Sequence, residues 1–445
     1  MYDVGIIGAG PAGYTLAIRL AQKGKKVILF ENKYVGGTCL NFGCIPTKSI
    51  LHSCSLFDKF KTCEKFGVTA ENISFDFQKI YERKNTVVEK MRKSLEKLIL
   101  SYDVDIIYEE AFIESSEKIK CKSGTYDCEN IVVATGSEPA EIKTLKRNNF
   151  VLNSDDILEL TELPKSIAII GSGAIGIEWA RIFSSLGSQV YLIEMADKLL
   201  PTADFEVSQR IERILKRNKV KIYTSNYVEK VENNSVVLKS GDKIQAEKIL
   251  VATGRKAVLP KNNNNNTLET SEKGSATVDE IYKNKSGVYV IGDASSKIQL
   301  AHNAIHQALY LAEYLCEGKI PRNYVIPSVI YGEPEIAWAG KTEQELAGTN
   351  YKKFLYPISA LGKAQSDGEI EGFVKLLSVN DIIAGVHIIS PEASSLICEF
   401  ILPIQNKLKI SELKEICHAH PTYSEGSFES ILGLCSEPLT VMKGV

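Results

Sequence analysis

The sequence predicts an α/β chain made of two copies of one parallel-sheet unit, followed by a separate α+β unit. Three observations carry that expectation: a strand that turns through glycines into a helix near the N-terminus, a second such signal from Ser166, and a change of texture after Tyr324. In the first copy, Val4-Gly5-Ile6-Ile7 runs into Gly8-Ala9-Gly10-Pro11-Ala12-Gly13, and the helix starts near Pro11. Gly8 makes the tight turn, Gly10 lets backbone N–H groups approach a pyrophosphate, and Gly13 allows close helix packing, while the helix N-terminus adds partial positive charge. Val27 to Phe30 then ends in Glu31, a carboxylate placed for ribose hydroxyls. The second copy leads from Ser166–Ile170 through Gly171-Ser172-Gly173-Ala174-Ile175-Gly176, and Val190–Ile193 ends in Glu194. From first glycine to acid both intervals are 23 residues. One such motif is a weak signal and is also consistent with a tight turn that holds nothing. Two at the same interval point to two Rossmann-like domains, each holding a dinucleotide.

Between the copies, Ile80, Val87, Met91, Leu95 and Leu98 recur at helical spacing and predict a core-packing helix over 80–100. Strand-like runs follow, ending in Ala134-Thr135-Gly136 and again in Ala252-Thr253-Gly254, so the halves read as internal relatives. The expected division is a first dinucleotide domain over 1–147, a second over 148–277 inserted into it, a segment over 278–323 that completes the first, and an α+β domain over 324–445. The return is signalled by Val288-Tyr289-Val290-Ile291-Gly292-Asp293, with Asp293 placed for a sugar or ribityl hydroxyl. The run Asn262 to Asn266 reads as a solvated loop without function. After Tyr324, strand-like Val325–Tyr331 and Phe373–Leu377 alternate with helices.

A chain of 445 residues has ample volume for buried cores. Its net charge of −2 gives no reason to expect nucleic acid or an anionic membrane as a partner. No apolar run is long enough to span a bilayer, and Met1 stands directly against the first strand, so a reducing, cytoplasmic setting is expected. There a disulfide is more often catalytic than structural. Of ten cysteines, eight lack ligand-like pairing with histidines and read as ordinary packed or surface residues.

The exceptions are Cys39 and Cys44, within Gly36-Gly37-Thr38-Cys39-Leu40-Asn41-Phe42-Gly43-Cys44-Ile45-Pro46-Thr47-Lys48. On a distorted helix they fall on neighbouring faces and can close a small loop. Two packed thiols are the alternative, but the flanking glycines permit close approach to a flat ring, and Lys48 brings a positive charge one turn beyond. A dithiol cannot exchange electrons with NAD directly, whereas a flavin accepts both chemistries. One dinucleotide site is therefore expected to hold FAD and the other NAD, with the disulfide and the nicotinamide on opposite flavin faces. Glu194 favours NAD over NADP, because a carboxylate repels a 2′-phosphate and Met195 to Leu200 offer only Lys198. Near the C-terminus, Cys417-His418-Ala419-His420-Pro421-Thr422-Tyr423-Ser424-Glu425 supplies what thiol chemistry needs: His420 as a base near neutral pH, and Glu425 to orient it. His52, His302, His306 and His387 read as structural.

These motifs, with Gly171 to Glu178, Val290 to Ser295, Leu300 to His302 and Ile326 to Ala337, resemble the flavin-dependent pyridine nucleotide-disulfide oxidoreductases along nearly the whole chain, and within them the dihydrolipoamide dehydrogenase branch. The resemblance implies that Cys44 faces the flavin and Cys39 exchanges with substrate. It also implies that Lys48 pairs with Glu178 near the flavin, that Asp293 binds the ribityl chain, and that His420 and Glu425 act together. It adds Thr38, Gly136, Gly254 and Ala301 to the cofactor-binding residues, and it implies a homodimer whose C-terminal domain forms the interface. The expected reaction is oxidation of dihydrolipoamide, carried on a lipoyl domain of a 2-oxo acid dehydrogenase or glycine cleavage complex, with hydride passed to NAD. No metal is expected. The other readings are a reductase of another small or protein disulfide using NAD(P)H, and an inactive flavin-binding subunit; the latter would have lost Cys39, Cys44, His420 or Glu425, and all four are present. Two departures stand out: Ile305-His306-Gln307, where acidic residues are usual and where contacts near the flavin and nicotinamide are expected to change, and Lys256-Ala257 without the usual proline, expected to affect only a loop.

Overall fold

In the computed structural model, which describes residues 1–232, 235–260, 268–320 and 322–441, the N-terminal apolar run forms β1 (Tyr2–Ile7). Pro11, its φ already fixed for a helix, opens α1 (Pro11–Gln22). β2 (Val27–Phe30), α2 (Gly37–Asn41), α3 (Cys44–Lys61) and α4 (Phe77–Leu100) follow. β3 (Asp105–Ile107), β4 (Phe112–Ser115), β5 (Lys118–Cys121) and β6 (Gly124–Val133) come next. β3, β2, β1 and β6 lie parallel, and β5 and β4 extend the sheet antiparallel. A parallel sheet covered on both faces needs apolar side chains on both. Ile6, Leu29 and Val132 accordingly pack with Leu16 of α1, while Ile7, Ile28 and Val133 fill the opposite face.

The buried face of α4 differs from the expected one. Asp76 caps its first turn by accepting from Lys79 N (3.0 Å), and the stripe that goes inside is Phe77, Tyr81, Lys84, Val88 and Ile99. Met91 and Leu98 are 43% and 47% exposed. The aromatic rings, which apolar periodicity underweights, set the helix rotation, and Tyr81 Oη and Lys84 Nζ anchor it on the carbonyls of Ile157 and Leu158 (3.0 and 2.7 Å).

β7 (Ser137–Pro139) leads to the second lobe. There β8 (Val151–Leu152), β9 (Ser166–Ile170), α5 (Ala174–Ser185), β10 (Gln189–Ile193), α6 (Phe205–Arg217) and β11 (Lys221–Tyr223) repeat the doubly wound pattern. β12 (Val228–Glu232), β13 (Ser235–Leu238) and β14 (Lys243–Gln245) form a small antiparallel sheet before β15 (Lys248–Val251). The order β11-β10-β9-β15-β8 is all parallel. β16 (Arg255–Ala257) leads back and pairs antiparallel with β7, so Lys256-Ala257 is strand and not loop. β17 (Tyr289–Val290) joins the first sheet beside β6, as an inserted second lobe requires. The chain returns before residue 278, because Leu268 and Ala276 already belong to the cluster around Ile7 and Phe30. The Asn262–Asn266 run lies outside the described residues. α7 (Ala301–Glu317) then packs on α1.

The C-terminal lobe contains β18 (Ser328–Ile330), β19 (Glu335–Gly340), β20 (Lys352–Pro357), α8 (Gly362–Asp367), β21 (Phe373–Val379), β22 (Ile382–Ser390), α9 (Ala393–Asn406), α10 (Ile410–Leu413) and α11 (Ser424–Leu434). Its antiparallel sheet has the order β18-β19-β22-β21-β20, with α9 over β19 and β22 and α11 over β20 and β21. Fully buried Lys375 of β21 donates to Asp204 Oδ1 at the start of α6 (2.8 Å) and also meets Glu206 and Glu343, tying the second lobe to the third. Losing either side of such a pair leaves a buried charge uncompensated.

Candidate active site

The two glycine turns are superposable in their local demands. Gly8 and Gly171 have φ of +104° and +101°, where only glycine is unstrained, and a Cβ on either would strike the backbone of Ala134 or Ala252. A Cβ at Gly13 would lie 1.8 Å from Gly8 O, and one at Gly176 1.9 Å from Gly171 O. Both acids are buried and doubly oriented: Glu31 accepts from Ala9 N (2.9 Å) and Lys33 N (2.8 Å), Glu194 from Ser172 N (2.9 Å) and Ala196 N (2.8 Å). A carboxylate has lone pairs beyond these, so each can still accept sugar hydroxyls. Gly136 and Gly254 adopt positive φ of +71° and +107° where β6 and β15 hand over to β7 and β16, with open space before them.

The cysteine segment lies on the first turn. Gly36 N donates to Ala9 O (2.8 Å), and a Cβ at Gly37 would come 2.6 Å from Gly10 Cα, so this glycine is demanded by the approach of two backbones. Cys39 and Cys44 do not share one distorted helix: the chain breaks at Phe42-Gly43, placing Cys39 in α2 and Cys44 at the first position of α3. Both are free thiols, each near enough to act on the ionisation of the other. The Cys39 hydrogen bond, and after it the Lys48 charge, overcome burial and bring Cys44 down to about 7. Cys39 is pushed well up by the same bond and by burial. A thiolate at Cys44 also lies at the positive end of α3.

Lys48 Nζ, one turn along α3, donates to both oxygens of Glu178 on α5 (2.7 and 2.8 Å) and sits 4.7 Å from the Tyr331 ring centroid. Tyr331 N also donates to Glu178 Oε1 (3.1 Å), so the three lobes meet at this ion pair. Asp293 accepts from Ser137 Oγ (2.6 Å), and burial raises its carboxyl above the usual range against the pull of Ser137 and Arg255. Gln307 Oε1 accepts from the neighbouring Gly292 N (2.6 Å), so that departure does touch the Asp293 loop, and Ala301 opens α7 beside it. Ser137, Arg255 and Tyr331 were not expected here; the signal for the first two was their position directly after the repeated Ala-Thr-Gly.

His420 stands apart. Its Nδ1 is 2.8 Å from Glu425 Oε1, whose other oxygen accepts from Thr422 N (2.9 Å). Burial raises the Glu425 carboxyl, but the bonds from His420 and Thr422 outweigh it and hold it below its usual range. The imidazole is 76% exposed and makes no hydrogen bond to either cysteine, so among the described residues one chain does not join His420 to the thiols. Of the other histidines, His387 and His302 contact the carbonyls of Lys341 and Pro327, and His306 stacks on Tyr324, as structural residues do.

The chain is 36% identical over 451 residues to a dihydrolipoyl dehydrogenase of Chlamydia pneumoniae, covering 98% of each protein. It is 35% identical to one of Bacillus subtilis, covering 97% of each. Its fold matches the flavoprotein disulfide reductase RclA from Escherichia coli with a TM-score of 0.87 at 24% identity, over 97% of this chain and 99% of that one. LpdA from Mycobacterium tuberculosis gives 0.88 at 21%, over 98% and 100%. The profile of the pyridine nucleotide-disulphide oxidoreductases matches residues 2–308, and that of their dimerisation domain matches 326–430. Spanning both parallel sheets, the cysteine segment and the antiparallel lobe, these matches make the chain a member of the pyridine nucleotide-disulphide oxidoreductase family, a flavoprotein disulfide oxidoreductase.

Proposed function

We propose that the protein is a dihydrolipoyl dehydrogenase that oxidises dihydrolipoamide, carried on the lipoyl domain of a 2-oxo acid dehydrogenase or glycine cleavage complex, and reduces NAD. The observation that carries this reading is the Cys39–Cys44 segment lying directly on the first glycine turn, with Cys44, the thiol that is easier to ionise, at the start of α3. The first turn suits FAD: Gly10 leaves no side chain in the way of a diphosphate, Gly13 lets α1 pack against Gly8, Glu31 can still accept from ribose hydroxyls, and Asp293, with one donor in Ser137, keeps lone pairs for a further hydroxyl. Bound FAD supplies the two-electron relay between the dithiol and NAD.

The protein's own residues perform the thiol chemistry. With Cys39 and Cys44 joined as a disulfide, a substrate thiolate attacks Cys39 Sγ, the Cys39–Cys44 bond breaks, and Cys44 leaves as a thiolate stabilised by Lys48 and the α3 terminus. The second substrate thiol then attacks its own mixed disulfide, releasing lipoamide and the Cys39 thiol, so two thiols are oxidised and one disulfide is reduced. His420, oriented by Glu425, takes the proton from the substrate thiol. Its exposure, and the lack among the described residues of a hydrogen bond from it to either cysteine, favour delivery from a second copy of the chain across the dimerisation domain. Lys48 and Glu178 hold charge where the two dinucleotide sites adjoin. Glu194 favours NAD over NADP, and Lys198, the one cation in its loop, is committed to Ala203 O (2.8 Å). No helix among the described residues is long and apolar enough to cross a membrane, in keeping with work in the cytoplasm.

The test is NAD reduction by dihydrolipoamide set against NADPH oxidation by glutathione disulfide. Turnover in the first assay alone is expected. Turnover in the second alone would make the enzyme a reductase of another disulfide.

A further inference from the structure

Ser137 and Arg255 hold the same place in the two copies, each directly after Ala-Thr-Gly and each opening a strand of the ribbon that joins the lobes. Their side chains meet. Arg255 Nε donates to Ser137 Oγ (2.8 Å), and Arg255 Nη2 donates to Ser137 O (2.7 Å) and Thr38 Oγ1 (3.2 Å). The Ser137 hydroxyl in turn donates to Asp293 Oδ2 (2.6 Å). One guanidinium from the second lobe thus fastens three parts of the first: α2 with Cys39, the strand leaving β6, and the Asp293 loop. Thr38 adjoins Gly37, which lies against Gly10, so the guanidinium is carried to the edge of the first glycine turn. Among the described residues no carboxylate is in ion-pair contact with Arg255, and Ser137 is the one donor to the Asp293 side chain. The arginine's charge acts on the Asp155 and Asp293 carboxylates without a direct ion pair to either, and Asp293 depends on the relay that Arg255 orients.

We propose that Arg255 is a positioning residue of the first dinucleotide's site, holding Thr38 and, through Ser137, Asp293, so that the first lobe retains its dinucleotide only with a residue supplied by the second. The inference rests on FAD occupying the first turn. It is tested on the full-length protein by measuring flavin retained per chain through gel filtration, flavin dissociation constants, and the unfolding midpoint of flavin-stripped protein. Arg255→Met is expected to weaken flavin binding about 10- to 100-fold, the scale of lost charged hydrogen bonds. Arg255→Lys, which keeps the charge and loses the fork, should fall between Arg255→Met and wild type. Ser137→Ala, which cuts the relay and leaves the arginine in place, should weaken binding in the same direction and carries the test if Arg255→Met does not fold. The stripped variants should unfold where stripped wild type does. Wild-type retention in Arg255→Met or Ser137→Ala overturns the proposal, as does a loss of stability in the stripped variants that accounts for the lost flavin. A wild-type chain that binds no flavin would instead refute the reading of the first turn.

Discussion

The two glycine turns share their φ angles, their close helix packing and the way each acid grips the backbone, yet their surroundings differ. Over the first, the backbone of Gly37 at the start of the cysteine segment lies against Gly10; in the second, a Cβ at Gly173 would meet nothing within 4 Å. Arg255 reaches Thr38 at the edge of the first from the other lobe, whereas in the second the hydroxyl of Ser172 donates to Glu194 (2.7 Å). Similar local chemistry is thus set in two surroundings, one with a second glycine backbone against the turn and one with open space beside it.

The largest effect should come from the cysteine segment. Cys44→Ser is expected to lower dihydrolipoamide turnover on the order of 10⁴-fold or more while flavin stays bound, and to abolish the long-wavelength charge-transfer absorption of the dithiol form. A variant that keeps the band would show that another thiol lies against the ring. Because Cys44 is lowered to about 7 from the ordinary thiol range, that band should be full at alkaline pH and fade as pH falls through about 7. The sign follows from the depressed value: thiolate stabilisation is present above the ordinary thiol pKa and is lost on acidification through the folded one. A band that instead grew as pH fell would contradict it.

His420→Ala should cost about 10²- to 10⁴-fold in turnover without touching either nucleotide site. Mixed with Cys39→Ser chains under subunit exchange, it should recover activity, since each heterodimer then keeps one intact combination. Confirmed exchange without recovery would put both halves of the site on one chain. A more direct probe of the contrast between the turns pairs Gly37→Ala with Gly173→Ala. The first forces a methyl against Gly10 and should cost about 1–3 kcal/mol in urea unfolding and loosen flavin. The second enters open space and should change stability by no more than about 0.5 kcal/mol. Equal effects would remove the distinction drawn between the sites. Glu194→Ala is expected to shrink the preference for NAD over NADP by about 1–3 kcal/mol, read as a ratio of kcat/KM values. No change in that ratio would place nucleotide discrimination outside this loop.

The amino-acid sequence by itself determined the features whose physics is local. A glycine that must adopt positive φ, or whose Cβ would strike a carbonyl five residues away, is written into the chain at that spot, so both turns, both acids and the parallel sheets behind them were legible. The cysteine segment was legible for the same reason, because its glycines answer to close backbone approach. Only the tertiary structure decided what depends on directions taken by distant segments. It fixed which stripe of α4 faces inward, set by Tyr81 and Lys84 reaching carbonyls of the second lobe. It broke the cysteine segment into two helices, brought the chain back to the first lobe by Leu268, and left His420 exposed and, among the described residues, without a hydrogen bond to the thiols of its own chain. It also joined Arg255 to Thr38 and Ser137, partners 217 and 118 residues away in sequence. Side-chain contacts at such separations exist only once the lobes have packed; the repeated Ala-Thr-Gly marks the places of Ser137 and Arg255 along the chain but not that the two side chains meet.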